Sequence, residues 1–154
     1  SRGSNIESSM KALLQRVSHA QVVVDGQPVG QIGMGLLVLL GLDEGDCHES
    51  ADRLLDKLLG YRIFADDRGR MNRSVVDCGG GVLLVPQFTL SADTGKGLRP
   101  SFSSAMSPAE AESLFLYTQQ KLEQRHRRVA AGVFGADMQV SLTNDGPVTF
   151  LLEI

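Results

Sequence analysis

The chain has no tryptophan, and aromatic residues make up only 5% of its 154 positions. With a formal net charge of -3, it also lacks any global basic field, so only a local patch is left to hold nucleic acid. It has two cysteines, Cys47 and Cys78, too few for a disulfide framework, and they read as reduced thiols. There are three histidines, His19, His48 and His126, and no pair of them has metal-ligand spacing. No apolar run approaches the roughly 18–20 residues that span a bilayer. The G-x-S-x-G elbow of the common hydrolase fold is missing, and no two acids recommend themselves as a general acid/base pair. These absences remove most standard catalytic machinery.

What is present suits one domain with a core large enough to need neither disulfide nor metal, since hydrophobic residues make up 42% of the chain. Residues 1–9 are small, polar and aperiodic, without the basic start and apolar stretch of a signal peptide, and read as an expression-tag remnant. Residues 10–154 form the expected single domain. Within it, residues 13–17 and 21–24 are strand-like, Asp25-Gly26 is a two-residue hairpin signal, and 29–32 is the return strand. Gly33-Met34-Gly35 is a turn leading into Leu36-Leu37-Val38-Leu39-Leu40, an unbroken apolar run suited to a strand buried on both faces.

Two helices are expected. The first is capped by Asp46, with Glu49 in capping-box spacing, and Gly60 supplies its stop. Ala51, Leu54, Leu55, Leu58 and Leu59 form its buried stripe, while Arg53 and Lys57 face solvent. The second opens at Ser107-Pro108-Ala109-Glu110, with serine at the cap and proline at the first helical position. Its stripe is Ala111, Leu114, Phe115, Thr118 and Leu122. It ends in Arg125-His126-Arg127-Arg128, a basic cluster matched to the negative end of the helix dipole. That cluster reads either as charge matching on a wet surface or as a phosphate contact, which Lys96, Arg99 and Lys121 would extend if folding brings them near.

Residues 61–64 read as a short strand. Asp66-Asp67-Arg68-Gly69 reads as a solvated turn, because the rest of a calcium-loop pattern is missing. Gly79-Gly80-Gly81 has no Lys-Ser/Thr after it, so it reads as a flexible hairpin corner before a strand at 82–85 and not as a phosphate loop. Residues 138–142 alternate as a strand, 144–147 form a turn, and 148–154 complete the sheet.

Two segments remain, and neither holds a nucleophile beside a base. One runs Pro86-Gln87-Phe88-Thr89-Leu90 and on to Arg99-Pro100-Ser101-Phe102. The other is Asn144-Asp145-Gly146-Pro147-Val148-Thr149. Together with Gly60-Tyr61-Arg62-Ile63-Phe64 and Gly79-Gly80-Gly81-Val82-Leu83, they resemble the signature segments of the D-aminoacyl-tRNA deacylases, and the resemblance runs from Met10 to Ile154.

The resemblance implies a mixed α/β domain, with a strongly curved, barrel-like mixed sheet and two main helices packed on it. It further implies a cytoplasmic homodimer with its pocket at the subunit interface, acting on the 3′ end of tRNA that carries a D-amino acid or glycine. Gln87, Phe88 and Thr89 would form the catalytic segment. Gly146 and Pro147, joined by a cis bond, would reach into the partner's site and exclude an L side chain. Lys96, Arg99, Arg125, Arg127 and Arg128 are the candidate tRNA contacts. No metal or cofactor is implied, and no membrane.

Such chemistry is reasonable without histidine. An aminoacyl ester of ribose is already activated, and its cleavage needs a placed water, donors for the oxyanion and a nearby hydroxyl. Thr89 is assigned to positioning, since no base accompanies it. Proline at 86, where the family usually has serine, removes a hydroxyl and a backbone N–H and leaves donation to water or to the Phe88 and Thr89 amides. Two rival readings are a cofactor-free hydrolase of another activated acyl ester and a non-catalytic tRNA-binding module.

Overall fold

A computed structural model describes residues 10–103 and 105–154, so the tag-remnant reading of residues 1–9 falls outside the described residues. The first strand, β1 (Lys11–Val24), is continuous where the sequence suggested two pieces. It turns at Asp25 and Gly26, with φ of 50° and 77°, into β2 (Gln27–Ile32). Positive φ at both central positions is what a twisted two-residue hairpin requires. β3 (Gly35–Gly41) pairs antiparallel with residues 11–17 of β1, while β2 takes residues 20–24.

Helix α1 (His48–Gly60) starts one residue later than the capping pattern suggested. Cys47 is the N-cap, and its backbone N–H donates to Ser50 Oγ at 3.1 Å. Asp46 turns back to accept from the Asp43 amide at 2.7 Å, so its carboxylate serves the preceding turn. The leucine stripe is buried as expected. Residues 61–63 are irregular, and the strand expected at 61–64 is reduced to β4 (Phe64–Ala65), which pairs with β5 (Met71–Arg73) in a separate ribbon.

A short helix, α2 (Val75–Cys78), was not anticipated. Ser74 caps it by accepting from the Asp77 amide at 3.1 Å, and Gly79 closes it with φ of 68°. The three glycines are therefore a helix cap and strand entry, which corrects the hairpin-corner reading. β6 (Gly81–Pro86) then lies parallel to β3. α3 (Pro108–Arg125) has the expected Ser107 cap and buries all five stripe residues. β7 (Val129–Ala131), also unanticipated, runs parallel to β6, and β8 (Gln139–Glu153) runs antiparallel along the whole of β1.

The sheet order is β2-β1-β3-β6-β7, with β8 on the other side of β1. Its two ends nearly meet: a Cβ on Gly30 of β2 would lie 2.7 Å from the Ala131 carbonyl oxygen of β7, so only glycine allows that approach. This is the mixed α/β, barrel-like domain expected, with its two main helices and, among the described residues, the four-residue α2 besides.

Strand alternation explains the unbroken apolar runs. Leu36, Val38, Leu40, Val82 and Leu84 pack with Leu54, Leu55, Leu58, Phe115 and Leu122 of the helices. Their neighbours Leu37, Leu83 and Val85 join Val17, Ala20 and Val22 in a second cluster on the sheet's other face. Among the described residues no helix is long and apolar enough to cross a membrane.

Candidate active site

The parallel pairing of β3 and β6 carries one residue beyond Pro86, where the Gln87 amide donates to the Leu40 carbonyl at 2.8 Å. The chain then tightens into a 3-10 turn, Phe88–Ser91. Its first internal bond runs from the Leu90 amide to the Gln87 carbonyl, so the Phe88 and Thr89 amides precede it and are not consumed by the turn. Buried Ser91 anchors the far end by donating to the Leu42 carbonyl at 3.2 Å.

Gln87 Nε2 donates to Thr89 Oγ1, which fixes both side chains at the surface. Among the described residues, neither an acid nor a histidine bonds the Thr89 hydroxyl. Phe88 is 68% exposed and rests on Phe102, with ring centroids 5.5 Å apart. Paired backbone bonds between Asp93 and Ser101, at 2.7 and 3.0 Å, close the intervening loop, which contains Lys96 and Arg99.

The second motif is a bulge inside β8, where the sequence suggested a turn between two strands. Gln15 of β1 pairs with Thr149, and Val17 with Asn144, so residues 145–148 stand opposite Arg16 alone. The Gly146–Pro147 bond is cis, and Gly146 has φ of 136°. Asn144 braces the bulge from within: its Oδ1 accepts from the Val148 amide at 2.8 Å, and its Nδ2 donates to Thr149 Oγ1 at 2.8 Å.

Arg16 holds the bulge from below. Its Nε donates to the Asp145 carbonyl at 3.0 Å, and its Nη1 donates to the Ile63 carbonyl at 2.8 Å. Neither brace was identified from the sequence. Arg16 gave no local signal, since the same strand also carries Lys11, Gln15, His19 and Gln21; its side chain is only 16% exposed.

Within one chain the two motifs do not meet. Ala12 pairs with Leu40 and Leu40 with Pro86, whereas the bulge lies four residues along β1 and on its other side. At about 3.3 Å per residue and about 4.8 Å between strands, Gln87 and Gly146 are on the order of 20 Å apart across the sheet. An open cleft of about 760 Å³ between the starts of α1 and α3 contains neither motif; it is lined by residues such as Cys47, His48, Met106 and Glu110.

The basic residues are divided as well. Arg125 pairs with Asp56 of α1 at 2.7 Å, and Lys121 sits 5.6 Å from the centre of the Tyr117 ring. His126 bonds the Gly80 carbonyl at 2.7 Å. Arg127 and Arg128 are exposed, but the Arg128 carbonyl accepts from Val82 at the start of β6, while Lys96 and Arg99 follow its end. Folding therefore does not join these cations into one patch within a chain.

Residues 13–153 match the model of the D-Tyr-tRNA(Tyr) deacylase family. The chain belongs to that family. It is 63% identical over 145 residues to a D-aminoacyl-tRNA deacylase of Herminiimonas arsenicoxydans, covering 94% of this chain and 97% of the relative. To the corresponding protein of Stutzerimonas stutzeri it is 60% identical over 144 residues, covering 94% and 99%. Among solved structures, a c-Myc DNA unwinding element binding protein superposes with a TM-score of 0.90 at 39% identity, covering 94% of this chain and 98% of that one. A probable eukaryotic D-amino acid tRNA deacylase shares the fold, with a TM-score of 0.80 at 20% identity, covering 95% of this chain and all of that one. Membership places the chain among enzymes that hydrolyse an aminoacyl-tRNA ester.

Proposed function

We propose that the protein is a cytoplasmic homodimer that hydrolyses the ester of D-aminoacyl-tRNA and of glycyl-tRNA, with Gly146 and Pro147 of one subunit gating the pocket of the other. The observation that carries this reading is the separation of two exposed half-sites in one chain. The Gln87–Thr89 turn offers amides and no gate, and the braced bulge offers a rigid edge and no catalytic groups, on the order of 20 Å away across the sheet. Two copies related by a two-fold axis bring each half against the other's complement and build two identical sites.

An apolar row supports pairing. Leu151, Leu13 and Leu39 lie side by side across β8, β1 and β3, and Leu151 is 49% exposed. In the composite pocket the Phe88 and Thr89 amides take the developing oxyanion. A bound water attacks the ester carbon, and the ribose 2′-hydroxyl next to the ester assists the proton transfer. Thr89 orients Gln87 and does not attack.

The gate works by clash: its carbonyls leave no room for an L substituent, while a D side chain points elsewhere and glycine has none to exclude. The reading predicts rapid hydrolysis of D-tyrosyl-tRNA and glycyl-tRNA, with L-tyrosyl-tRNA left intact. Comparable rates on the D and L esters would refute it.

A further inference from the structure

The ribbon of β4 and β5 concentrates arginine in a chain that is acidic overall. Arg62, Arg68, Arg70 and Arg73 fall within twelve residues, and all four are exposed. The acids near them are Asp66, Asp67 and Asp77. Asp66 Oδ1 accepts from the Arg68 and Arg70 amides at 2.8 and 3.0 Å and so closes the turn; Asp77 accepts from the Ser74 amide at 2.9 Å. These amide bonds, with smaller help from Arg73 nearby, hold both carboxyls below the usual carboxylate range. Among the described residues the ion pairs are Arg16–Asp145 and Arg125–Asp56, so the four guanidiniums have no carboxylate within ion-pair distance. Arg62 braces the ribbon by donating to Asn72 Oδ1 at 2.6 Å, which leaves Arg68, Arg70 and Arg73 directed at solvent.

The root of this ribbon is attached to the gate. Arg16 donates to the Ile63 carbonyl and, from the same guanidinium, to the Asp145 carbonyl in the bulge. The Tyr61 ring packs edge-on against Phe150 of β8, with centroids 5.7 Å apart. Arg68 is five chain steps from Ile63, so the ribbon's tip lies no more than about 18 Å from that anchor. A guanidinium fork matches phosphate oxygens in pairs, and three forks on one short ribbon suit a run of backbone phosphates better than a single small anion.

We propose that the β4–β5 ribbon is the docking surface for the phosphate backbone of tRNA, gripping the stem while its 3′ end lies at the adjoining gate. The proposal rests on the deacylase reading for the position of that 3′ end, and binding of uncharged tRNA tests it separately. The Arg68→Ser/Arg70→Ser/Arg73→Ser protein should bind uncharged tRNA roughly tenfold or more weakly at low salt, with the slope of log Kd against log salt reduced by about 2. The triple Lys variant, which keeps the charge, should stay near wild type. KM for D-tyrosyl-tRNA should rise far more than KM for the minimal D-tyrosyl ester of adenosine, because the latter has no stem to grip. Unchanged tRNA affinity and salt slope in a folded Ser variant would overturn the proposal, whatever the enzyme does to D-tyrosyl-tRNA. Failure of the wild type to hydrolyse D-tyrosyl-tRNA, with the binding difference intact, would sink the deacylase reading and leave the docking surface standing.

Discussion

Gly146→Ala is the substitution on which the gate reading depends most. A Cβ at this position would sit 2.7 Å from Val148 Cγ2, 3.1 Å from the Arg16 guanidinium and 3.2 Å from the Val148 amide nitrogen. The backbone there, at φ of 136°, is one that L residues rarely adopt, which costs on the order of 1–3 kcal/mol before any clash. Val148 is buried and its amide is held by Asn144, so the bulge cannot yield on that side without losing a hydrogen bond. It should yield outward, where residues 145–147 are exposed, and displace the two carbonyls that in the proposed dimer face the substrate.

In a domain of this size each kcal/mol corresponds to roughly 2–4 °C in Tm, so a fall of about 2–12 °C is expected with the fold retained. The larger effect should be on selectivity. Rates on D- and L-tyrosyl-tRNA, measured side by side, should converge as the gate shifts, or both should collapse if it blocks the pocket. An unchanged ratio of D to L rates, with Tm within a degree or so of wild type, would show that the bulge does not control access.

Two further outcomes follow from the same geometry. Thr89→Ala should keep activity on D-tyrosyl-tRNA within about tenfold of wild type, whereas loss on the order of 10⁴ in a folded protein would make its hydroxyl a chemical participant. Mixing the Gly146→Ala protein with one substituted at both Gln87 and Phe88 should restore selective hydrolysis, since random exchange gives about half heterodimers, each with one intact site, or about a quarter of wild-type activity. No recovery after subunit exchange has been verified by mass would exclude a gate acting in trans.

Local pattern alone determined a good part of this protein. The Asp25-Gly26 hairpin, the Leu36–Leu40 strand, the leucine face of α1 and every buried position of α3 were legible because each depends on periodicity or on turn chemistry a few residues long. The two motifs were legible too, as residue strings. Tertiary structure decided the rest. β7 is three residues long and exists because β6 offers it an edge; no run of three can announce that. Residues 144–147 carry every local mark of a turn, yet they stay within one strand because β1 pairs with the chain on both sides of them. The basic run marks Arg125 as a candidate phosphate contact, and nothing local announces that it pairs with Asp56, 69 residues earlier in the chain. Arg16, in the middle of the first strand, became the clamp on the β8 bulge only when pairing set β8 beside it. Periodicity reports which face a residue shows. Which distant groups meet at that face depends on strand register, and register is a property of the assembled sheet.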